Sequence, residues 1–428
     1  MNPIGAIRQL TVDAAAVLLS RRKPRTAAVG ARRRVTFVQF GDYAEDYWRL
    51  QRGGTENYYA QKYSVDFVGS LAARPDVESV TVICVAAAAA PAELPNGVRT
   101  VGIELYSKAG EPRYAELLEQ VRATRPSHLL ARTPCIPLIA WGVRNGCQVL
   151  PMLADSFRAK GLKAFIEYRL LGLLFGCRAI EFVANHNLAA SLDLRRIGIP
   201  AQKVIPYDWP ALISPRDFPA KSAPPASADF RLLYVGAVIE SKGVGEAIAA
   251  VGLLRNRGVK VTLTIIGRGD VEVFKDMALR RGLREFVNFP GPQSHSGVVK
   301  AMRGHDAVVV PSHWSYPEGL PMTLYEALCA RTPLLTSDHP MFALKIRDGY
   351  NALVFAERDA AAFAQRIEEL VRSPELYSRL SVNALAAADA YLCPLKFDQL
   401  ISGFLGLAPS IDLPGFSLAS GYANYLKS

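Results

Sequence analysis

The chain has 428 residues, of which 50% are hydrophobic and 21% charged, so it can form folded cores and is too long for one ordinary domain. Its 50 Lys and Arg residues outnumber 39 Asp and Glu, and residues 1–34 alone contain eight basic residues and one acidic residue. The rest of the sequence is only mildly basic and has no zinc-finger or RNA-recognition motif. We therefore set aside a nucleic-acid partner.

Residues 1–34 have the composition of neither a signal peptide nor a membrane span, since the apolar segment precedes the basic cluster and is interrupted by Arg8 and Asp13. Asn2-Pro3 predicts a helix start. Apolar side chains then recur at helical spacing: Ile4, Ile7, Leu10, Ala14 and Val17. Two interpretations stay open. The segment is an amphipathic helix with a basic tail on an anionic membrane surface, or it is a disordered extension.

The six cysteines and six histidines are scattered, and no Cys-x-x-Cys pair occurs. This pattern predicts a reducing compartment, hence a cytoplasmic location, with peripheral membrane contact if the amphipathic interpretation holds. It also predicts no zinc site, because zinc ligands cluster at short spacings.

Residues 35–213 alternate short β-branched segments with helical patterns, which predicts a parallel sheet covered by helices. The predicted strands are residues 35–40, 80–85, 98–103, 128–131, 148–153, 179–184 and 203–205. The predicted helices include residues 54–73 and 111–124, and the apolar segment 169–177 is expected to be a buried helix. Residues 86–90, which are rich in alanine, are expected to form a loop.

A Pro-, Ala- and Ser-rich linker at residues 214–229 separates this domain from a second one at residues 230–389. The second domain has predicted strands at residues 231–236, 261–267, 286–289, 307–310 and 333–336. We therefore predict an α/β protein with two Rossmann-like, doubly wound domains facing across a cleft. Ligands of such sheets bind at the carboxyl ends of the strands.

The strongest chemical motif is Glu318-Gly-Leu-Pro-Met-Thr-Leu-Tyr-Glu326, which follows a predicted strand. Glu318-Gly319 predicts a turn, and the proline two residues later predicts a helix start. The amides of Met322 and Thr323 would then be unpaired donors suited to an anion. With a phosphate on these amides, Glu318 and Glu326 would lie near the two ends of a nucleotide-linked substrate. Surface carboxylates on an ordinary helix remain the alternative.

Two further motifs also follow predicted strands. Gly236 allows the backbone to approach a ligand, and Lys242 can place a point charge on a phosphate. Gly267-Arg268-Gly269 is a second glycine-rich strand end. No Gly-Lys-Ser/Thr sequence is present in this region, so it is not a Walker loop.

Together these motifs resemble glycosyltransferase family 4, whose members are retaining enzymes of the GT-B fold. The resemblance covers residues 231–372. It rests on Gly236, Lys242-Gly243, Gly267-x-Gly269, Pro311-Ser312, Glu318-Gly319, Glu326, Thr332-Pro333 and the segment Asp348-Gly-Tyr-Asn-Ala-Leu-Val354. Residues 390–428 resemble the last helix of that fold, which crosses back to the N-terminal domain, and the tail after it.

The resemblance implies a donor site for a nucleoside-diphosphate sugar, used as co-substrate without a metal or other cofactor. Lys242 and the amides of Met322 and Thr323 would hold the diphosphate and take the leaving-group charge. Glu326 would hold the ribose, and Glu318 would contact the transferred sugar near the reacting carbon. The acceptor would be a cell-surface polysaccharide or a lipid-linked glycan.

The chain departs from the family pattern at several positions. Ala237 stands where the family has Arg, and Arg268 is the candidate substitute for that cation. Pro321 and Arg331 each replace a Gly, and Asp155 aligns loosely with a sugar-contacting His.

Gly53-Gly54, at a predicted loop-to-helix junction, is a candidate phosphate or acceptor contact. A turn that caps a helix is the equal alternative. The departures at Ala237 and Asp155 leave open a nucleotide-sugar-binding partner subunit with little catalysis. Another GT-B enzyme, such as a nucleotide-sugar epimerase, is a third option.

Overall fold

The computed structural model describes residues 32–56, 58–107, 110–158, 161–224, 229–319 and 321–426. The predicted amphipathic helix, within residues 1–31, lies outside these ranges. The chain divides into two compact units, formed by the described parts of Met1–Pro210 with Cys393–Ser428 and of Ala211–Leu392. Each unit contains its own β-sheet.

The sheet of the first unit has eight strands in the order β3-β4-β2-β1-β5-β6-β7-β8. The strands are β1 (Arg33–Gln39), β2 (Val77–Cys84), β3 (Ala89–Glu93), β4 (Val98–Gly102), β5 (His128–Ala131), β6 (Gln148–Leu153), β7 (Val183–His186) and β8 (Val204–Tyr207). The described helices of this part are α1 (Tyr43–Gln51), α2 (Gln61–Ala72), α3 (Tyr114–Thr124), α4 (Ile136–Arg144), α5 (Leu162–Gly176) and α6 (Leu188–Arg196). All described strand pairs are parallel except β3 with β4.

The first strand begins earlier than the sequence suggested. Arg33 and Arg34, counted with the basic extension, lie in β1. The Arg33 guanidinium contacts the carbonyl oxygen of Leu405 at 2.5 Å, and that of Arg34 pairs with Glu78 at 3.2 Å. These two charges therefore belong to the folded unit and not to a tail.

Three other expectations for the first unit were wrong. Residues 43–51 form α1, and the helix expected from residue 54 begins only at Gln61. Part of the alanine-rich segment pairs as the antiparallel edge strand β3. The apolar segment at residues 169–177 is helical in α5 but is not fully buried, since Leu173 is 54% exposed.

The second unit contains a six-stranded parallel sheet in the order β11-β10-β9-β12-β13-β14. Its strands are β9 (Phe230–Val235), β10 (Val261–Ile266), β11 (Val287–Asn288), β12 (Ala307–Val310), β13 (Leu334–Ser337) and β14 (Leu353–Phe355). Its described helices are α7 (Val244–Asn256), α8 (Val271–Arg280), α9 (His295–Gly304), α10 (Met322–Cys329), α11 (Ala360–Arg372) and α12 (Pro374–Asp389).

The central strands of this sheet are covered on both faces, which is why their sequences are apolar runs without alternation. Every residue of β12 and β13 is buried. The core also contains the stacked rings of Phe355 and Phe363, whose centroids are 4.0 Å apart. The strand order reverses direction between β9 and β12, and ligands of such sheets bind beyond the carboxyl ends of the strands at this reversal.

The last part of the chain packs on the first unit through α13 (Phe397–Phe404). The Phe397 ring stacks on Trp209 at 4.8 Å between centroids and meets the edge of Phe67. The backbone amide of Phe397 also donates to the carbonyl oxygen of Asp208. These contacts hold the segment after residue 392 against the end of β8. Among the described residues, no helix is long and apolar enough to cross a membrane.

Arg331 adopts a backbone conformation that favours glycine, with φ of +55° in the turn between α10 and β13. Its guanidinium Nε donates to the carbonyl oxygen of Ser381 at 2.9 Å, and the Ser381 hydroxyl donates back to the Arg331 carbonyl oxygen at 2.6 Å. The side chain thus ties this strained turn to α12. The replacement of the expected Gly is compensated by these hydrogen bonds.

We expect Arg331→Ala to lower the free energy of unfolding by about 1–2 kcal/mol, because it keeps the strained φ and loses the guanidinium bonds. Arg331→Gly loses the same bonds but removes the strain, so it should be about 1 kcal/mol more stable than Arg331→Ala. Urea denaturation of the two variants checks the order. Equal stability, or a more stable alanine variant, would contradict the strain at this turn.

Candidate functional site

The loops after β9 and β10 lie in contact at the carboxyl edge of the second sheet. The Gly236 amide donates to the Ile266 carbonyl oxygen at 3.0 Å, and the Val238 amide donates to the Arg268 carbonyl oxygen at 2.8 Å. A Cβ atom on Gly267 would lie only 1.8 Å from the Gly236 carbonyl oxygen. Gly267 is therefore required for the close approach of two loops, beside whatever ligand role it has.

A buried ion pair joins the loop after β9 to the loop after β12. Lys242 Nζ pairs with Oε1 of Glu318, and the two side chains are only 14% and 6% exposed. The Ser312 hydroxyl donates to the same carboxylate oxygen at 2.7 Å. Nζ of Lys242 also lies 4.3 Å from the centroid of the Tyr316 ring, a cation–π distance. The two predicted site residues are thus brought into direct contact.

The backbone around this pair is fixed by close packing. Gly243 has φ of +73°, and a Cβ atom there would lie 2.0 Å from the Pro311 carbonyl oxygen. The His313 amide donates to the Ser241 carbonyl oxygen at 2.9 Å, and His313 Nε2 lies 3.0 Å from the carboxylate of Glu246 in α7. Lys242 and Glu318 are therefore held by contacts between the same two loops.

The start of α10 lies directly after Glu318 and Gly319 in the chain. Met322 is the first helical residue, and among the described residues no side chain caps the helix. Pro321 is the N-cap with extended backbone, one position before the expected first turn. The Thr323 hydroxyl contacts the Val235 carbonyl oxygen at 3.4 Å, which places the helix start at the end of β9. The amides of the first turn are thus directed toward the carboxyl edge of the sheet, as an anion site requires.

Glu326 follows on α10 and is 5% exposed. Its carboxylate lies 3.1 Å from Nε2 of His295, the first residue of α9. A sugar hydroxyl that binds Glu326 must therefore do so beside the His295 ring. No motif singled out His295, which lies 31 positions before Glu326 in the chain.

Ala237 and Arg268 lie on the two paired loops, and both side chains are exposed. Val238 and Gly269 form a bridge between these loops, and each lies next to one of the two residues. Arg268 is therefore in the loop adjacent to the one where the family carries its Arg. This position suits the predicted substitution of one cation for another.

In the first unit, Gly53 and Gly54 end helix α1. The Gly53 amide donates to the Leu50 carbonyl oxygen and the Gly54 amide to the Arg49 carbonyl oxygen, the two bonds of a Schellman cap. Gly53 has the φ of +74° that this cap needs. The pair therefore has a structural role at the end of a helix that the sequence analysis did not predict.

Polar side chains follow successive strands at the carboxyl edge of the first sheet: Gln39, Arg132, Asp155, His186 and Asp208. Arg132 donates to the Gln39 side chain at 2.7 Å, and His186 lies 3.0 Å from Asp208. Burial raises the pKa of Asp155 above its usual range. Of this row only Asp155 was predicted, although each residue could have been found as a polar residue that ends a buried strand or follows it within two positions.

A cavity of about 170 Å³ lies beyond the ends of β4, β5 and β6. Its wall includes the aromatic side chains of Tyr106, Tyr114, Phe157 and Tyr168 and the Glu167 carboxylate. Burial raises the pKa of the Tyr106 and Tyr114 hydroxyls, so both stay protonated and can donate hydrogen bonds. Aromatic faces beside hydroxyl and carboxylate groups suit a small polyhydroxylated ligand.

Comparisons with known proteins agree with the motif analysis of the second unit. Residues 216–386 match the family model described as glycosyl transferases group 1. The glycogen synthase of Mycobacterium tuberculosis is 32% identical over 192 residues, which are 44% of this chain and 42% of that protein. The chain thus spans less than half the length of this curated relative.

Solved structures resemble the chain over more of its length. Sucrose-phosphate synthase from Thermosynechococcus elongatus has a TM-score of 0.63 at 16% identity and covers 87% of this chain and 98% of its own. HepE from Anabaena, solved with UDP-glucose, has a TM-score of 0.61 at 14% identity, with 88% and 99% covered. The predicted fold class is confirmed: the chain is α/β with two Rossmann-like domains and has the GT-B fold.

We expect Lys242→Met to lower the free energy of unfolding by about 2–4 kcal/mol, because it leaves the buried Glu318 carboxylate without its cation. Adding Glu318→Gln should recover part of that loss, since the buried charge is then removed as well. Thermal or urea denaturation of the single and double variants measures the coupling. The exposed pair of Lys275 with Glu272 is the matched control, and Lys275→Met should cost less than about 1 kcal/mol. Additive effects at Lys242 and Glu318 would contradict the coupling.

Proposed function

We propose that the protein is a retaining glycosyltransferase, similar to family 4, that transfers a sugar from a nucleoside-diphosphate sugar to a cell-surface polysaccharide or lipid-linked glycan. We place this reaction in the cytoplasm and assign it no metal or other cofactor. One observation carries the proposal. Lys242, Glu318 and the uncapped start of α10 meet at the carboxyl edge of the second sheet, within the residues that match group 1 glycosyl transferases.

The donor would lie along this edge with its charges matched to protein groups. Lys242 and the amides of Met322 and Thr323 hold the diphosphate, and Arg268 supplies a second cation from the neighbouring loop. Glu326 accepts hydrogen bonds from the ribose hydroxyls, beside His295. As the glycosidic bond breaks, negative charge grows on the diphosphate, and the fixed Lys242 and helix-start amides stabilise it.

Donor binding requires an exchange of partners at Lys242. Without donor, the ammonium group is neutralised by Glu318. A diphosphate carries more negative charge than a carboxylate and can take over Lys242 as its counter-ion. Glu318 is then released to accept hydrogen bonds from the hydroxyls of the sugar being transferred. In front-face attack the acceptor hydroxyl approaches from the side of the leaving group, so Glu318 positions the sugar and forms no covalent bond.

The acceptor side belongs to the first unit in this proposal. Its sheet edge carries the partly buried polar row that includes Asp155, and the aromatic cavity lies beside it. Gly53 and Gly54, at the end of α1, are candidate contacts to the donor phosphates or the acceptor in this proposal. The departure at Ala237 favours the second candidate function, a nucleotide-sugar-binding subunit without turnover. An epimerase would change its donor without any acceptor, so product analysis separates all three.

We predict that Lys242→Ala lowers kcat/KM for the donor about 100-fold, because one charge contact to the leaving group is lost. Glu326→Ala should raise KM about tenfold or more with a smaller effect on kcat, since a ribose contact contributes equally to ground and transition states. Transfer or slow hydrolysis of a nucleotide-sugar panel, with UDP-glucose included because HepE was solved with it, is the measurement.

Lys275→Ala, on an exposed helix face, serves as the control and should retain wild-type kinetics. Wild-type rates for both Lys242→Ala and Glu326→Ala would contradict the site assignment. Nucleotide binding without turnover across the panel would favour the partner subunit. The anomeric configuration of the product, read by NMR, tests retention separately.

The N-terminal segment gives a separate prediction. Deleting residues 1–30 removes five basic residues and leaves β1 intact. Because each basic residue near an anionic surface contributes about 1 kcal/mol, salt-sensitive binding to anionic vesicles should fall more than tenfold at low ionic strength. Vesicle co-sedimentation at low and high salt measures it. Unchanged binding would support the disordered-extension interpretation.

A further inference from the structure

Helix α5 has apolar residues on all sides but is not enclosed by the protein. Its sequence is Leu-Lys-Ala-Phe-Ile-Glu-Tyr-Arg-Leu-Leu-Gly-Leu-Leu-Phe-Gly. A helix of this composition is normally buried. Nevertheless Leu162 is 76% exposed, Phe165 61% and Leu173 54%. These positions fall on one stripe of the helix, because residues spaced by three, eight and eleven positions point in similar directions.

The opposite side of α5 is fixed in the first unit. Leu171, Leu174 and Phe175 are buried. Gly172 packs so closely that a Cβ atom there would lie 2.0 Å from the Ile197 carbonyl oxygen. The exposed stripe is therefore a rigidly presented surface. Three large apolar side chains side by side in water are unfavourable unless a partner covers them.

The charges around the stripe identify the partner. Arg169 lies within it, with its guanidinium 5.9 Å from the centroid of the Phe165 ring. Lys163 and Arg178 are exposed near the two ends of the helix. The single acidic residue of α5, Glu167, lines the cavity described above. An apolar stripe that contains one cation and has others near both ends of its helix matches the boundary between anionic head groups and acyl chains.

Two other occupants fit the charges less well. In a symmetric dimer through this stripe, Arg169 of each copy would approach its own equivalent. Residues 1–31 carry five Lys and Arg residues and one Asp, so this segment would bring further positive charge to a positive face. An anionic lipid surface has neither conflict.

The aromatic cavity links the exposed stripe of α5 to the proposed sugar transfer. Tyr168 and Leu171 on the inner side of α5 contribute to the wall of the aromatic cavity. We propose that α5 docks the protein on an anionic membrane through Leu162, Phe165, Arg169 and Leu173, so that the cavity behind it receives the sugar of a lipid-anchored acceptor. The docking stands on the surface of α5 alone. The acceptor class rests on the proposed glycosyltransferase function.

The test uses the full chain and the double variant Phe165→Ser with Leu173→Ser. Because two inserted apolar side chains are removed, partitioning onto phosphatidylcholine–phosphatidylglycerol vesicles should fall at least about tenfold. The loss should persist at high salt, where the electrostatic contribution of residues 1–31 is screened. The matched control is Val273→Ser with Leu279→Ser on α8, whose side chains are 61% and 55% exposed, and its partitioning should change less than about twofold.

Unchanged partitioning of the α5 variant would overturn the proposal. So would a change of molecular mass in light scattering, since the stripe would then be covered by a second copy. Donor hydrolysis in solution is measured in parallel and should equal that of wild type. If the wild type hydrolyses no donor but the α5 variant loses the vesicles, docking stands and the proposed function fails. If donor is used and vesicle binding is unaffected, docking alone fails.

Discussion

The pairing of Lys242 with Glu318 is the interaction on which the proposed donor site depends. Both charges are nearly excluded from water, and each would be costly to bury alone. Their contact holds the loop after β9 against the loop after β12 and positions both groups for a ligand that carries negative charge next to hydroxyl groups. A nucleoside-diphosphate sugar has this combination.

The surrounding structure keeps these two loops in place. Gly243 lets the chain pass close to Pro311, and His313 reaches back to Glu246 at the start of α7. The start of α10 contacts the end of β9 through Thr323. Because the donors and acceptors are fixed before a ligand arrives, little reorganisation is needed as charge develops on a leaving group. The strained turn at Arg331 follows the other end of α10. Its hydrogen bond to α12 anchors the turn and so holds α10 in register.

The first unit has different physical requirements. Its polar residues at the sheet edge are paired with each other or partly buried, as Arg132 with Gln39 and His186 with Asp208 show. Its helix α5 exposes several large apolar side chains, and we propose that a lipid surface contacts them. A lipid-linked sugar acceptor could contact both sides of α5, since one side is exposed to the proposed lipid surface and the other lines a cavity of about 170 Å³.

Much of the fold could be predicted because buried parallel strands are continuous apolar runs, and glycines mark the ends of several of them. The same glycines mark the loops of the proposed donor site. What the sequence could not provide are partners distant in the chain. His295 and His313 become relevant only through their contacts with Glu326 and Glu246. Helix α1 was missed because Gly53-Gly54 was interpreted as a helix start when it is a helix end. The exposure of α5 was missed because composition alone does not show which apolar face lacks a partner.

Calorimetric titration of the full chain with UDP, GDP and ADP is the decisive test of the proposed donor site, because it measures diphosphate binding without depending on an acceptor. We expect at least one of the three to bind to the wild type and to bind at least about tenfold more weakly to Lys242→Met, because a charge contact worth more than about 1.4 kcal/mol is lost. Failure of all three to bind, or equal affinity of the variant, would contradict the assignment of Lys242 to a diphosphate site.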